Sequence, residues 1–299
     1  MIADKPVKKG IVISFGVFDG VHVGHQALIR RMQQRASELD TETVVLTFDP
    51  HPALSTSGEA PPSITTIEKK IELLKALGIN RVVVEDFNED FSQLSPEEFV
   101  YDMLIGEFHA QEIVVGYDCA FGKDRAGDKW LLKKLGKKYG TAVEIVEPHN
   151  LNGDVVSSTR VRNAIQQGDL NLASRLLGRL YSISGTVVSG KGIGKKIGYA
   201  TANLQTQNEV LPPSGVYAVR VYLKDQSLDG VLNMGLQPTL SDGKFRIEVH
   251  ILDFEGELYG CYMEVVFIKK IRDEMIFEGP KNLAEQIEKD EFIARDILK

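Results

Sequence analysis

Residues 11–25 read IVISFGVFDGVHVGH, and this stretch decides the fold of the N-terminal half of the chain. Four of its first five residues are apolar and predict a buried strand, and a helical pattern at residues 26–39 follows the glycine-rich turn. The start of a helix presents unpaired N–H groups and the positive end of its dipole, which favour phosphate binding. We therefore expect an anion-binding site between Gly16 and His25.

Two histidines in this turn are the candidate catalytic groups. His22 and His25 are three residues apart, so a helical turn would place both imidazoles on one side. Such a pair can donate hydrogen bonds to phosphate oxygens that become more negative in a transition state. The alternative is a glycine-rich turn whose histidines only cap the helix. The turn is neither a Walker A loop nor a GxGxxG motif. The other candidate nucleotide-binding residues here are Gly16, Phe18, Asp19 and Gly24.

Strands and helices alternate through the rest of this half. Apolar strand patterns recur at residues 43–48, 81–84, 112–115 and 142–146, with helical patterns between them. This alternation predicts an α/β fold with a parallel sheet covered by helices on both faces. Ligands in such folds bind outside the carboxyl ends of the strands, where the histidines lie.

The pattern changes near residue 180. Short strand patterns separated by turn residues follow, at 181–188, 215–223, 231–234, 245–254 and 259–268, before an amphipathic helix from about residue 281. Short antiparallel strands at this spacing predict a small β-barrel closed by a helix. We therefore expect two domains, residues 1–180 and 181–299.

The composition excludes several classes of protein. The 299 residues carry a net charge of −7, which argues against a protein that coats nucleic acid. No apolar run is long enough to span a bilayer, and the first ten residues show no secretory signal, so no membrane association is expected. Two cysteines outside any CxxC motif suggest a reducing cytoplasm. The oligomeric state stays open.

A second glycine- and lysine-rich segment, SGKGIGKKIG, occupies residues 189–198. It is not a P-loop, because Gly192 stands where Ser or Thr would bind the metal and no helix pattern follows. Backbone N–H groups and lysines could still bind phosphate, and a surface loop is the alternative. The candidate phosphate-binding residues are Gly190, Lys191, Gly192, Gly194 and Lys195.

Polar residues in two later strand patterns suggest a second reaction centre. In an extended segment Thr201 and Asn203 point the same way and offer neutral oxygens, which suit Mg²⁺ when phosphates complete its shell. Glu248 alternates with apolar residues, and a carboxylate beside a metal-bound triphosphate can take a proton from an attacking hydroxyl. A charged outer face of a sheet is the alternative.

Several motifs together resemble the N-terminal domain of bacterial bifunctional riboflavin kinase/FAD synthetases. They are FGVFDGVHVGHQALI at 15–29, TFDPHP at 47–52, VVGYD at 114–118, AGD at 126–128 and VSSTRVR at 156–162. The resemblance implies a Rossmann-like HxGH nucleotidylyltransferase that transfers an adenylyl group from ATP to FMN and yields FAD. It also implies catalytic roles for His22, His25 and Arg162, with Ser158 and Thr159 beside the phosphates. A guanidinium matches phosphate oxygens well. Asp118 and Phe121 would contact adenine or flavin, or would be a loop aspartate and a core aromatic.

The C-terminal half resembles the flavokinase domain of the same family. The matching motifs are TAN at 201–203, NMGLQPT at 233–239 and EVHILDF at 248–254. This implies a six-stranded antiparallel barrel that phosphorylates riboflavin with ATP and Mg²⁺. Thr201 and Asn203 would hold the metal, Glu248 would be the general base and Arg272 would line the flavin pocket. The chain departs from the family at Ala200 and Gln237, where proline and a basic residue are usual.

Two other functions are alternatives. The first is an adenylyltransferase for another small phosphate substrate, with a barrel that only binds a ligand, since one fold serves many functions. The second is a non-enzymatic module whose barrel binds RNA or a protein. The acidic charge and the lack of interleaved basic and aromatic residues argue against RNA. The expected partners are riboflavin, FMN and ATP.

Overall fold

The computed structural model describes residues 10–189, 199–224, 226–236 and 245–299. The chain forms two compact units, Met1–Ser158 and Thr159–Lys299. The division lies before two helices that we assigned to the first domain from the sequence. The functional boundary at residue 180 stays a prediction.

A five-stranded parallel sheet forms the centre of the first unit, with the strand order β3-β2-β1-β4-β7. Its strands are β1 (Ile11–Phe15), β2 (Thr43–Asp49), β3 (Arg81–Asp86), β4 (Ala110–Gly116) and β7 (Ala142–Val146). Two small hairpins are formed by β5 (Ala120–Phe121) with β6 (Gly127–Asp128) and by β8 (Asn150–Leu151) with β9 (Asp154–Val155).

Helices connect the strands of this sheet. They are α1 (Val23–Leu39), α2 (Pro52–Ser57), α3 (Ile67–Ala76), α4 (Glu89–Ser92), α5 (Pro96–Glu98) and α6 (Lys129–Tyr139). Ser95 begins α5 with a capping box to Glu98. The chain continues from α5 as a π-helix at Phe99–Glu107, which the sequence did not indicate.

Helices bury both faces of the sheet, as predicted. Along β1, Ile11, Ile13 and Phe15 belong to one apolar cluster, whereas Val12 belongs to another that includes residues of α1. A strand buried on both faces carries a nearly continuous apolar run, which explains the pattern at residues 11–15. Ser14 is its one polar residue and is also buried. The turn after β1 therefore lies at the carboxyl end of the central strand of the sheet.

The second unit contains a closed six-stranded barrel with the strand order β10-β11-β14-β13-β12-β15. Its strands are β10 (Ser182–Val188), β11 (Ala202–Thr206), β12 (Gly215–Leu223), β13 (Gln226–Gly235), β14 (Arg246–Ile251) and β15 (Tyr262–Arg272). Helices α7 (Ser158–Gln166) and α8 (Leu170–Leu177) precede the barrel, and α9 (Pro280–Leu298) follows it. The predicted barrel and its terminal helix are confirmed.

Alternate residues of the barrel strands face inward and outward. Along β14, Ile247, Val249 and Ile251 are buried, whereas Glu248 and the other polar residues are half-buried. Helix α9 covers part of the outer face, where Ala294 and Leu298 pack with Val216 of β12 and Val231 of β13. None of the described helices is long and apolar enough to cross a bilayer.

Candidate active sites

The turn between β1 and α1 has an unusual backbone. Phe18 and Val21 have φ angles of 52° and 42°, a left-handed conformation that is costly for a β-branched residue such as Val21. Both side chains are buried. Gly16 and Gly20 supply the other positive φ angles. The surrounding structure holds this turn in a defined shape, as a preformed anion site requires.

Asp19 fastens the turn to the loop before α3. Its buried carboxylate accepts hydrogen bonds from the backbone N–H groups of Ile64, at 3.0 Å, and Thr65, at 3.2 Å. The N–H of Gly20 donates to the Thr65 hydroxyl at 3.2 Å. The Ser158 hydroxyl donates to the Asp19 carbonyl oxygen at 2.9 Å. These contacts give Asp19 and Ser158 a role in shaping the turn, and their contacts with nucleotide stay predictions.

His22 is the N-cap residue of α1. Its Nδ1 accepts a hydrogen bond from the backbone N–H of His25 at 3.3 Å, so a neutral ring carries its proton on Nε2. The side chain is buried, and a Cβ added at Gly24 would lie 3.1 Å from its ring. Glycine at position 24 therefore leaves room for the His22 imidazole. The structure assigns His22 the capping role, which a phosphate contact through Nε2 would leave intact.

The imidazoles of His22 and His25 lie together, as their spacing predicted. The rings stack with centroids 3.6 Å apart, and the Phe18 ring lies 5.1 Å from that of His25. Nδ1 of His25 is buried and has no hydrogen-bond partner among the described residues. Burial lowers the pKa of His25 well below its usual value, and the charges of His22 and Lys70 lower it further. His25 is therefore neutral at pH 7 without ligand, and its ring has hydrogen-bonding capacity to offer.

Lys70 of α3 was not predicted from the sequence, and its helix packs against the histidine turn through Leu74, which clusters with Phe18 and Val21. Lys70 is only 6% exposed. Burial lowers the pKa of its ammonium group, and the carboxylates of Asp19 and Asp49 oppose that effect. A signal was present in the sequence, because Lys70 lies four residues before the buried Leu74, on the apolar face of α3.

The two residues predicted to contact adenine or flavin differ in their placement. Asp118 is exposed in the turn after β4. Phe121 is buried, and its ring packs against Phe15 and Phe99 at centroid distances of 5.7 and 5.8 Å. This placement favours the alternative of a core aromatic for Phe121. Their contacts with ligand stay predictions.

Helix α7 carries the remaining candidates from the first set. It begins at Ser158, which ends the first unit, and Thr159 and Arg162 belong to the second unit. Thr159 is exposed, whereas the Arg162 side chain is buried at 8% exposure. The predicted phosphate contacts of these two residues are not tested by these positions.

Three oxygen-bearing side chains form a row across the barrel. Asn203 of β11 pairs with Glu248 of β14, and Glu248 pairs with Asn233 of β13. Residues that pair across strands share a face, with Cβ atoms about 4.5–5.5 Å apart. The neighbours Ala202 and Val249 are buried, so this row lies on the outer face of the barrel. Asn233 was not among the site residues predicted from the sequence.

The segment before β11, residues 199–201, contacts His250 of β14. The ring of Tyr199 lies edge-on to that of His250 at 5.6 Å, and His250 Nδ1 lies 2.8 Å from the carbonyl oxygen of Ala200. Thr201 and Asn203 are half-buried on either side of the buried Ala202, so they face the same way, as predicted.

The donor set on this face fits a hard cation such as Mg²⁺. Thr201, Asn203 and Glu248 offer oxygens, which Mg²⁺ prefers, and few protein ligands are needed when phosphates and water complete the octahedron. Among the described residues no cluster of three or more His, Cys, Asp or Glu could hold a metal alone. Such a site would therefore depend on the phosphates of the nucleotide. The predicted phosphate-binding residues Gly190, Lys191, Gly192, Gly194 and Lys195 lie outside the described residues, as does Gln237.

Arg272 has a structural partner. Its Nε and Nη2 atoms donate to the carboxylate of Asp290 in α9 at 2.9 and 2.7 Å, and its Nη1 donates to the carbonyl oxygen of Asp273. Asp290 is 2% exposed. Arg272 therefore holds α9 against the barrel, and its flavin contact stays a prediction.

Two family models match the two parts of the chain, and known relatives match both parts together. A family model described as FAD synthetase matches residues 4–160, and one described as riboflavin kinase matches residues 177–298. Relatives named bifunctional riboflavin kinase/FMN adenylyltransferase include those of Pseudomonas fluorescens and Escherichia coli K12, at 39% and 38% identity. Each alignment covers 97% of this chain and 94% of the relative.

A solved structure has the same fold over nearly the whole length. It is described as a macrolide-efflux protein from Streptococcus pneumoniae, with a TM-score of 0.85 and 32% identity over 98% of this chain and 96% of that one. The parallel-sheet unit, the barrel and their matches define a two-domain transferase. The chain belongs to the family of bifunctional riboflavin kinase/FMN adenylyltransferases. Membership favours the predicted two-activity enzyme over a barrel that only binds ligand.

Proposed function

We propose that this chain phosphorylates riboflavin to FMN and then adenylylates FMN to FAD, with ATP as the co-substrate of both reactions. The observation that carries the proposal is that two chemically different donor sets lie in separate units, each within a separate family match. One set is the stacked imidazole pair after β1, and the other is the row of oxygen-bearing side chains on the barrel.

Adenylyl transfer would occur in the first unit. An oxygen of the FMN phosphate forms a bond to the α-phosphorus of ATP, and the bond from that phosphorus to the β-phosphate oxygen breaks. The N–H groups of His22 and His25 would donate to oxygens that gain charge in this step. Little covalent chemistry is required of the protein, so positioning and charge stabilisation supply the catalysis.

The imidazole pair suits this role because it is preorganised. His22 is fixed by its cap to α1 and by the stacked ring of His25. His25 is a neutral donor at pH 7, because burial and the charges of His22 and Lys70 hold its pKa well below its usual value. Gly16, Phe18, Asp19 and Gly24 would shape the phosphate site together with Ser158, whose hydroxyl donates to Asp19. The phosphate contacts of Thr159 and Arg162 stay predictions from the family resemblance.

Riboflavin phosphorylation would occur on the barrel. Glu248 would accept the proton of the 5′-hydroxyl as its oxygen bonds to the γ-phosphorus of ATP, and ADP would leave. Thr201 and Asn203 would hold Mg²⁺, which neutralises phosphate charge when bound. Asn203 and Asn233 flank Glu248 in the row, so they would orient its carboxylate beside the phosphates.

The proposal is tested by incubating the purified chain with riboflavin, ATP and Mg²⁺ and separating the flavins over time. We expect FMN to accumulate and then FAD. A second incubation starts from FMN, so that the second reaction is followed alone. Omitting Mg²⁺ and adding a chelator should stop FMN formation. Absence of both products would refute the proposal, and FAD from FMN without any FMN from riboflavin would refute the kinase half.

A further inference from the structure

Lys70 is a buried cation to which the proposed adenylyl transfer assigns no role. It lies on α3, directly after the loop whose Ile64 and Thr65 N–H groups bind Asp19. Its exposure of 6% contrasts with that of Lys75, an exposed residue one turn further along the same helix. A lysine is rarely this buried unless its ammonium group has a partner.

The described residues do not supply that partner. Asp19 and Asp49 are the carboxylates that act on the Lys70 charge, yet neither forms an ion pair with it within 4.0 Å in the described part of the chain. The Asp19 carboxylate already accepts from two backbone N–H groups. The loss of hydration exceeds the attraction of both carboxylates, so the pKa of Lys70 falls. The ammonium group is therefore left short of negative charge.

Helix α3, which carries Lys70, packs against the turn that holds the imidazole pair, because Leu74 belongs to the same apolar cluster as Phe18 and Val21. The charge of Lys70 is one of the causes that lower the pKa of His25. An anion between the two would stabilise the ammonium group and provide the acceptor that His25 Nδ1 lacks among the described residues. A polyphosphate is such an anion, and lysine binds phosphate as a point charge.

We propose that Lys70 binds the triphosphate of ATP during adenylyl transfer and holds the β- and γ-phosphates as they leave as pyrophosphate. This inference rests on the proposed adenylyltransferase activity of the first unit. When the bond between the α-phosphorus and the bridging oxygen breaks, the pyrophosphate gains negative charge. The nearby ammonium group stabilises that charge, while the histidines act at the α-phosphate.

The test compares two substitutions on one helix. Lys70→Met keeps a side chain of similar length and removes the charge, and Lys75→Met makes the same change at an exposed position. The full-length variants are assayed for FAD formation from FMN and for the reverse reaction of FAD with pyrophosphate. In K70M we expect kcat/KM for ATP to fall about tenfold or more, and half-saturating pyrophosphate to rise by a similar factor. The KM for FMN should not change, and K75M should behave as wild type.

Two further measurements separate binding from a structural role. Lys70→Arg retains the positive charge. Its half-saturating pyrophosphate concentration should therefore be lower than that of K70M and higher than that of wild type. Riboflavin phosphorylation by the same chains reports on the second unit, and circular dichroism reports on folding. Wild-type dependence on ATP and pyrophosphate in K70M would overturn the proposal. So would an unfolded K70M together with a K70R of wild-type pyrophosphate dependence. A wild-type chain that makes no FAD would refute the adenylyltransferase activity itself.

Discussion

The imidazole rings of His22 and His25 stack with their centroids 3.6 Å apart and their planes 14° from parallel. One ring caps α1 through Nδ1, and the other has an Nδ1 without a partner among the described residues. The two histidines therefore differ in their hydrogen bonds although their rings touch. His22 fixes the geometry of the helix start, and His25 keeps hydrogen-bonding capacity for a ligand.

His25→Ala should abolish FAD formation and leave FMN formation intact. It removes one donor to the charge that develops in adenylyl transfer, so kcat should fall about 10²–10³-fold or more. The barrel carries the kinase donors and should not be affected. Flavins are separated by chromatography after incubation with riboflavin and ATP. His149→Ala, at an exposed histidine of the first unit, is the control. FAD formation at a near-normal rate in H25A would contradict the catalytic role.

The low pKa of His25 should make folding stability depend on pH. Burial and the charges of His22 and Lys70 hold its pKa below the unfolded value of about 6.5, so the unfolded chain binds a proton that the folded chain does not. The stabilising contribution of the neutral ring is complete above about pH 6.5 and falls as the pH drops towards the folded pKa, by up to about 1.4 kcal/mol per pH unit.

Urea unfolding between pH 8 and 5 checks this dependence. His25→Gln retains a side-chain N–H and does not titrate, so its stability should decline less than that of wild type as the pH falls below about 6.5. The Cε1 proton of His25 in wild type should keep its NMR shift from pH 8 to 6. A shift that titrates near pH 6.5 would show that the ring is not held neutral.

Glu248→Gln should stop riboflavin phosphorylation and leave the conversion of supplied FMN intact. A general base contributes roughly 10²–10⁴-fold to rate, and glutamine cannot accept the hydroxyl proton. Glu255→Gln changes an exposed glutamate of the same unit and serves as the control. Both variants are assayed with riboflavin and with FMN. Unchanged kinase turnover in E248Q would remove Glu248 as the base.

The sequence predicted the architecture well because periodicity reports on burial. The run Ile11–Phe15 is buried throughout, and the alternation around Glu248 places that residue on the outer face of a strand. The strand Gly215–Leu223 was predicted with its observed bounds. The three-residue spacing of His22 and His25 likewise predicted that their rings lie together. Each of these features depends on neighbours within a few residues of the chain.

Contacts between distant segments were not predictable in this way. The pairing of Arg272 with Asp290 and the packing of Phe121 against Phe15 join separate elements, and no local pattern specifies them. Asn233 was overlooked because its relation to Glu248 exists only in the strand register. Lys70 was missed because a lysine among helical charges is usually solvated, so its position on the apolar face of α3 was a weak signal that the fold then explained. The strands β5 and β6 have two residues each, which is too short for an alternating apolar pattern to be recognised.

Arg272→Met should destabilise the barrel unit strongly. The Asp290 carboxylate is only 2% exposed, and the substitution removes the guanidinium that binds it through two nitrogens. Among the described residues, Gln286 then remains as its side-chain donor. Breaking a buried pair in this way costs about 3–5 kcal/mol. Arg295→Met is the matched control, because Arg295 pairs with Asp253 and Glu291 on an exposed surface, where such pairs contribute about 0–1 kcal/mol. Calorimetry of the full chain measures both variants, and fluorescence of Trp130, the single tryptophan, identifies the transition of the first unit. A loss in R272M no larger than that in R295M would show that the pair does not hold α9.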